Sequence, residues 1–170
     1  MIINVDRSFL EINSIKNLNQ SKSPGPNFKI NQVDPPDFQL NKFFYKQIGN
    51  KYRWIDRLAW SDKKWIEYVE NPRVKTFILK ENNNLVGFYE TVHDLDNDHS
   101  EIAYFGILEE YFGKKCGGYL LSEAIKKLFE DGISRVWLHT CSLDHKNAIK
   151  NYLARGMQIF KSEKINVEVN

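Results

Sequence analysis

The chain has 170 residues, enough for one ordinary domain that buries roughly two-thirds of the surface its unfolded form exposes. Hydrophobic residues make up 42% and charged ones 27%, and the formal net charge of +2 comes from interspersed signs. That balance excludes a mainly disordered chain and gives no broad field for nucleic acid or an anionic membrane. Cys116 and Cys141 are too few for a disulfide scaffold, nothing at the N-terminus resembles a basic segment followed by an apolar run, and no stretch reaches the ~18 apolar residues of a membrane span. A reducing cytoplasm is the expected compartment, and any anion site must be local.

In chain order, residues 3–13 read as a first strand and Asn17 to Asn27, with Pro24, Gly25 and Pro26, as a loop. Asp34-Pro35-Pro36-Asp37 stops any regular element. Leu40, Phe43, Phe44 and Ile48 then recur at near-helical spacing, and Ser61-Asp62 caps a second helix through Trp65 and Val69 that Asn71-Pro72 ends. Val74 to Leu79 and Leu85 to Val92 form a hairpin, followed by a third strand of that group at Glu101 to Leu108. The period next changes to about 3.6, with Leu121, Ala124, Ile125, Leu128 and Phe129 on one helix face and Gly132 as its C-terminal cap. Arg135 to Cys141 alternates as a strand, Ala148 to Leu153 is a helix closed by Gly156, and Met157 to Val169 supplies a last strand.

The strand at Glu101–Leu108, the glycine-bearing turn Phe112-Gly-Lys-Lys-Cys-Gly-Gly-Tyr119 and the helix after it suit a phosphate. The first turn of a helix leaves N–H groups unpartnered and carries partial positive charge, and Lys114 and Lys115 stand at that end. Gly113, Gly117 and Gly118 serve equally well as a plain strand-to-helix turn, and neither the Walker A nor the dinucleotide glycine pattern is present.

Phe112 to Leu121 resembles the acyl-CoA pyrophosphate loop of the GCN5-related N-acetyltransferase (GNAT) superfamily, Arg/Gln-x-x-Gly-x-Gly/Ala, with Gly117 at the second glycine, Lys115 at the first and Phe112 at the Arg/Gln place. Arg135 to Met157 resembles the strand and helix that complete the family's CoA site, with Ala148, Tyr152 and Gly156 at the family spacing and His145 where many members carry Asn. Phe44-Tyr45, Trp54 to Trp60, Trp65 and Gly87 to Glu90 resemble a bacterial subgroup of undefined acceptor. The resemblance spans roughly residues 40–160.

It implies a single α/β (α+β) GNAT domain over residues 1–170, with residues 1–37 as an N-terminal strand and loop. The fold is a mixed, mostly antiparallel twisted sheet of about six to seven strands flanked by about four helices and splayed between the fourth and fifth strands. It implies acetyl-CoA as cofactor, CoA as product, and acetyl transfer to a primary amine by direct attack in a ternary complex. The acyl arm would lie between Tyr104–Leu108 and Val136–Thr140. The cofactor would touch Phe105, Gly106, Ile107, Leu108, Phe112, Gly113, Lys114, Lys115, Cys116, Gly117, Gly118, Tyr119, His145, Ala148 and Tyr152.

Acyl transfer to an amine needs a neutral nucleophile, a polarised carbonyl and a proton for the leaving thiolate. Tyr152 matches the family's acid and also fits the apolar stripe of its helix. For the base, Glu101 is the first choice and Glu90 the second, since either strand could face an acceptor cleft. Tyr45, Trp54, Asp56, Arg57 and Trp60, with Glu90 and His139, are candidates to wall that cleft, and core packing explains the aromatics more readily. The acceptor is expected to be an amine-bearing small molecule or peptide, with neither nucleic acid nor membrane as partner and a homodimer compatible with the chain. His139-x-Cys141-x-x-x-His145 lacks a fourth ligand, so no metal is expected. The rival reading is a GNAT-like module that binds CoA or a protein without catalysis, suggested by Lys115 and Phe112.

Overall fold

The computed structural model describes residues 1–169. Its elements are β1 (Ile2–Ile12), β2 (Phe28–Gln32), α1 (Phe38–Gly49), α2 (Asp62–Glu70), β3 (Val74–Glu81), β4 (Asn84–Asp94), β5 (His99–Ile107), α3 (Cys116–Glu130), β6 (Arg135–Cys141), α4 (Ala148–Ala154) and β7 (Gln158–Glu168), with short 3-10 turns at Ile15–Asn17 and Glu109–Tyr111. Among the described residues the strands form one sheet in the order β2-β3-β4-β5-β6-β1-β7. Every neighbouring pair is antiparallel except β5 and β6.

Side chains alternate across the sheet and build a core on each face. On one face Leu10, Phe77, Leu79, Tyr89, Val136 and Leu138 pack with Leu120, Leu121, Ala124 and Ile125 of α3 and with Tyr152 of α4. On the other, Ile78 and Phe88 pack with Phe44 and Ile48 of α1. The helices form because their apolar residues recur on one face, and α1 and α2 are capped at their starts: Asp37 accepts from Gln39 N–H at 3.0 Å, and Ser61 from Lys64 N–H at 3.2 Å. Among the described residues no helix is long and apolar enough to cross a membrane.

Two expectations shift. Phe28–Gln32, left unassigned after the polar loop, is an edge strand paired with β3 from Phe28↔Glu81 to Gln32↔Phe77. With that strand counted, the splay falls between the expected two strands, which are now the fifth and sixth. The loop before it is also more than a connector. Asn19 N–H bonds to Arg155 O at 3.0 Å, its side chain to Ala154 O at 2.9 Å, and Ser21 N–H to the Ser122 hydroxyl at 3.1 Å, so the segment straps α4 to the first turns of α3. Gly156 allows this: at φ 105° a Cβ there would stand 2.0 Å from Asn17 O.

Candidate active site

β5 and β6 pair only through His99↔Arg135, Ser100↔Val136 and Glu101↔Trp137. Past Glu101 they separate, while β5 stays bonded to β4 as far as Ile107↔Gly87 and β6 to β1 as far as Cys141↔Arg7. The backbone groups that face each other across this gap therefore open into a cleft of about 980 Å³. Its walls include Tyr104 to Ile107, Leu138 and His139, the loop Phe112 to Gly118 apart from Lys114, and Asp144 to Ala148 with Tyr152.

One end of the cleft is suited to anions. α3 begins at Cys116, and its N-cap residue Lys115 offers no side-chain cap, so the N–H groups of Cys116, Gly117 and Gly118 have no partner among the described residues. Lys115 stands where the family pattern has a glycine and adopts the glycine-like left-handed conformation, φ 64°, with Gly113 at φ 77° two residues before. A non-glycine residue there carries a strain of about 1 kcal/mol. A helix start with free N–H groups and an adjacent cation fits the pyrophosphate of a coenzyme A thioester. Phe112 packs edge-on against His145 at 5.0 Å, and Tyr52 meets the same imidazole at 5.8 Å.

Tyr152 lies midway. Its ring packs edge-on against Phe105 at 6.3 Å, and the residue is 8% exposed. Burial, and secondarily the negative charge of Asp144, push its phenol well above the ordinary value, so it holds its proton throughout the physiological range.

The far end holds Glu101, His139, Trp54 and Asp144. Glu101 is partly buried, and desolvation raises its carboxyl above the usual range despite the opposing Arg57 charge. His139 Nε2 stands 3.9 Å from Glu101 Oε1, and burial, then the Arg7 charge, lower the imidazole so that it is neutral near pH 7. Asp144 accepts from the Thr140 hydroxyl at 2.6 Å, from Cys141 N–H at 3.1 Å and, at 3.4 Å, from the Trp54 indole N–H. Trp54 in turn packs on Tyr104 at 4.9 Å.

Glu90 and Tyr45 correct the sequence-based expectation. Glu90 faces no acceptor: fully buried, it accepts from Asn41 at 2.8 Å, from Tyr68 OH at 2.9 Å and from Arg57 Nη1 at 3.0 and 3.2 Å. The Arg57 guanidinium is enclosed by the rings of Tyr45, Trp60, Trp65, Tyr68 and Tyr104, at 4.2 to 5.8 Å. Tyr45 is core, 1% exposed, its hydroxyl accepting Arg57 N–H at 3.0 Å. Arg57 and Trp60 reach the cleft wall, but Arg57 is ion-paired and Trp60 lies between Arg57 and Lys64. Leu108, Lys114 and Tyr119 stand off the cleft wall, Lys114 over the Tyr111 ring at 5.1 Å.

Sequence reasoning missed Asp144, Asn151 and Arg7, all on the cleft wall, which Asp56 also lines as expected. Arg7 has no local signal, because β1 reaches the site only by inserting between β6 and β7. Asp144 had a weak one, as a lone acid in the turn before the Ala148–Tyr152 helix.

A mixed sheet opened beside a helix start with free N–H groups matches the GNAT fold, and solved structures share that architecture. A GCN5-related N-acetyltransferase from Sphaerobacter thermophilus superposes with a TM-score of 0.75 at 14% identity, covering 95% of this chain and 50% of that one. An aminoglycoside acetyltransferase from an uncultured soil metagenomic sample, in complex with trehalose, gives 0.62 at 13% identity over 76% of this chain and 87% of that one. The IAA acetyltransferase of Bacillus cereus ATCC 14579 gives 0.58 at 20% identity over 79% of each. The chain thus spans about half the length of the Sphaerobacter protein. No curated protein matches the sequence significantly. The profile of the Acetyltransferase (GNAT) family matches residues 38–157, and the chain belongs to that family.

Proposed function

We propose that the chain transfers an acetyl group from acetyl-CoA to a primary amine by direct attack in a ternary complex. The opening between β5 and β6 carries this reading, because it joins an anion-receptive helix start to a raised-pKa carboxylate within one cleft. When bound, the thioester supplies the activated acetyl group. The N–H groups of Cys116, Gly117 and Gly118, with Lys115, hold its phosphates, and the open edges of β5 and β6 hold the arm.

Glu101 takes the proton of the incoming ammonium, directly or through water, beside the neutral His139. The amine nitrogen then bonds to the carbonyl carbon as the carbon–sulfur bond breaks, and a backbone N–H on the open edge of β5 stabilises the oxygen. Tyr152 gives a proton to the departing sulfur and recovers one as the new amide nitrogen sheds its second proton, so the net proton released is the one on Glu101. Burial moves the phenol further from a thiol's value of about 8.5, so this transfer depends on proximity more than on matched acidity.

Acetyl-CoA at ~100 times its dissociation constant should add about 2.7 kcal/mol of stability, read as a rise in melting temperature. No shift at millimolar acetyl-CoA would remove the cofactor and with it the reaction. Thiol release across an amine panel then separates catalysis from binding: Tyr152→Phe should keep the melting shift and lose roughly 100-fold in turnover. A shift in the unmodified chain without turnover on any amine would favour the non-catalytic CoA-binding module.

A further inference from the structure

A second cavity, of about 220 Å³, lies on the α3 face of the sheet and shares no lining residue with the cleft. The cleft meets the start of α3, whereas this cavity meets its end, at Lys127, Leu128, Asp131 and Ile133. The sheet forms its floor. Registers of Lys75↔Thr91, Phe77↔Tyr89 and His93↔Ser100 put these side chains on one face, and Arg73, just before β3, joins the wall.

Two independent observations point to an anion. The first is on the floor, where Tyr89 and Thr91 are 1% and 2% exposed and line the cavity, yet neither hydroxyl has a hydrogen-bond partner among the described residues. Buried hydroxyls are nearly always bonded, so a group that meets these two is expected in the cavity. Burial, and secondarily the charges of Glu123 and Asp131, keep the Tyr89 phenol protonated, so it is free to donate.

The second observation is charge. Arg73 and Lys75 pair with no carboxylate among the described residues, and the one acid on the wall, Asp131, is bound to Lys127 at 2.9 Å. The end of a helix ordinarily repels anions. Here the carbonyls of Lys127, Leu128 and Phe129 already accept the N–H groups of Asp131, Ile133 and Gly132.

We propose that this cavity binds a small oxyanion of the phosphate type, with Arg73 and Lys75 supplying charge and the hydroxyls of Tyr89 and Thr91 supplying donors. These groups come from the turn before β3, from β3 and from β4, so they approach from different points of the wall, as the four oxygens of a phosphate require and the two of a carboxylate do not. The ligand is phosphate itself or the phosphoryl group of a small ester. The site stands whether or not the cleft transfers acetyl groups.

The test is calorimetric titration of the unmodified chain at neutral pH with inorganic phosphate and with glycerol 3-phosphate, each repeated in millimolar acetyl-CoA because phosphate can also meet the start of α3. One phosphate per chain should bind saturably with acetyl-CoA present. Arg73→Ala combined with Lys75→Ala, both at exposed positions, should weaken that binding by about tenfold or more. Tyr89→Phe, which removes the hydroxyl and keeps the ring, should weaken it several-fold, and these substitutions locate the site even if acetyl-CoA does not bind. Tighter binding of the ester assigns the cavity to a phosphorylated small molecule, and equal binding assigns it to free phosphate. Binding that acetyl-CoA displaces, or that ignores all of these substitutions, overturns the proposal. So does heat that never saturates, which would leave the two hydroxyls to water.

Discussion

Glu90 and Glu101 lie on adjacent antiparallel strands, both partly or wholly out of water, yet their surroundings assign them opposite tasks. Glu90 on β4 is sealed, with Arg57, Tyr68 and Asn41 each directing a donor at it. Glu101 on β5 sits at the last paired position before the strands separate, 24% exposed, with the neutral His139 3.9 Å away. A buried carboxylate whose approaches are all taken by donors is structural. One that is desolvated without a cation close by gains basicity, and beside a cleft that is useful.

The largest expected effect breaks the first half of this contrast. Glu90→Ala leaves the Arg57 guanidinium buried without its counter-ion, and removal of one partner from such a pair costs about 3–5 kcal/mol. Urea unfolding should show that loss, while the folded fraction keeps its turnover per molecule. A variant of near-normal stability that is nonetheless inactive would return Glu90 to the list of bases.

Glu101→Gln should do the reverse. The Gln side chain keeps the shape and cannot take a proton, so turnover with a primary amine should fall by roughly 100-fold at neutral pH while the fold is retained. Unchanged turnover would mean that water alone removes the ammonium proton.

Tyr68→Phe probes the sealed cluster more gently. The phenol donates to Glu90 Oε2 at 2.9 Å, and a hydrogen bond to a charged group contributes about 1.5–3 kcal/mol. The melting temperature should fall and the response to acetyl-CoA should not. A neutral result would show that Arg57 and Asn41 alone satisfy the carboxylate.

Nothing in the sequence separates these two glutamates. Each stands among β-formers on a strand, and what divides them is Arg57, contributed from an irregular turn 33 residues before Glu90. The pieces whose signal is local were legible: the 3.6 period of α3, the Ser61 cap of α2 and the order of strands from β3 to β6. The edge strand β2 was not, because five residues after a polar loop carry too little alternation. Tyr45 was read as a cleft wall because its neighbourhood is aromatic, whereas the spacing Asn41, Phe44, Tyr45, Ile48 places it on the buried face of α1. The wall around His139 draws on β1, the turn after α1 and the turn after β6, and only the assembled sheet brings these together.

The smallest effect is also the most specific to the contrast, since it depends on pH. Burial raises the Glu101 carboxyl in the folded chain above its unfolded value, so its contribution favours the fold at pH values below the unfolded pKa, about 4.3. That contribution is lost as pH rises through the folded value, and near neutrality the charge is a burden on the native state. Glu101→Gln removes the burden, so the variant should melt slightly above the unmodified chain at pH 7, and the two curves should converge as the pH falls toward the carboxylate range. A gap that stays constant between pH 7 and pH 4, followed by circular dichroism, would trace the difference to packing of the amide. A variant that melts lower at pH 7 would mean that the Glu101 carboxylate makes favourable contacts in the fold that the amide cannot replace, and its contrast with Glu90 would then be one of position alone.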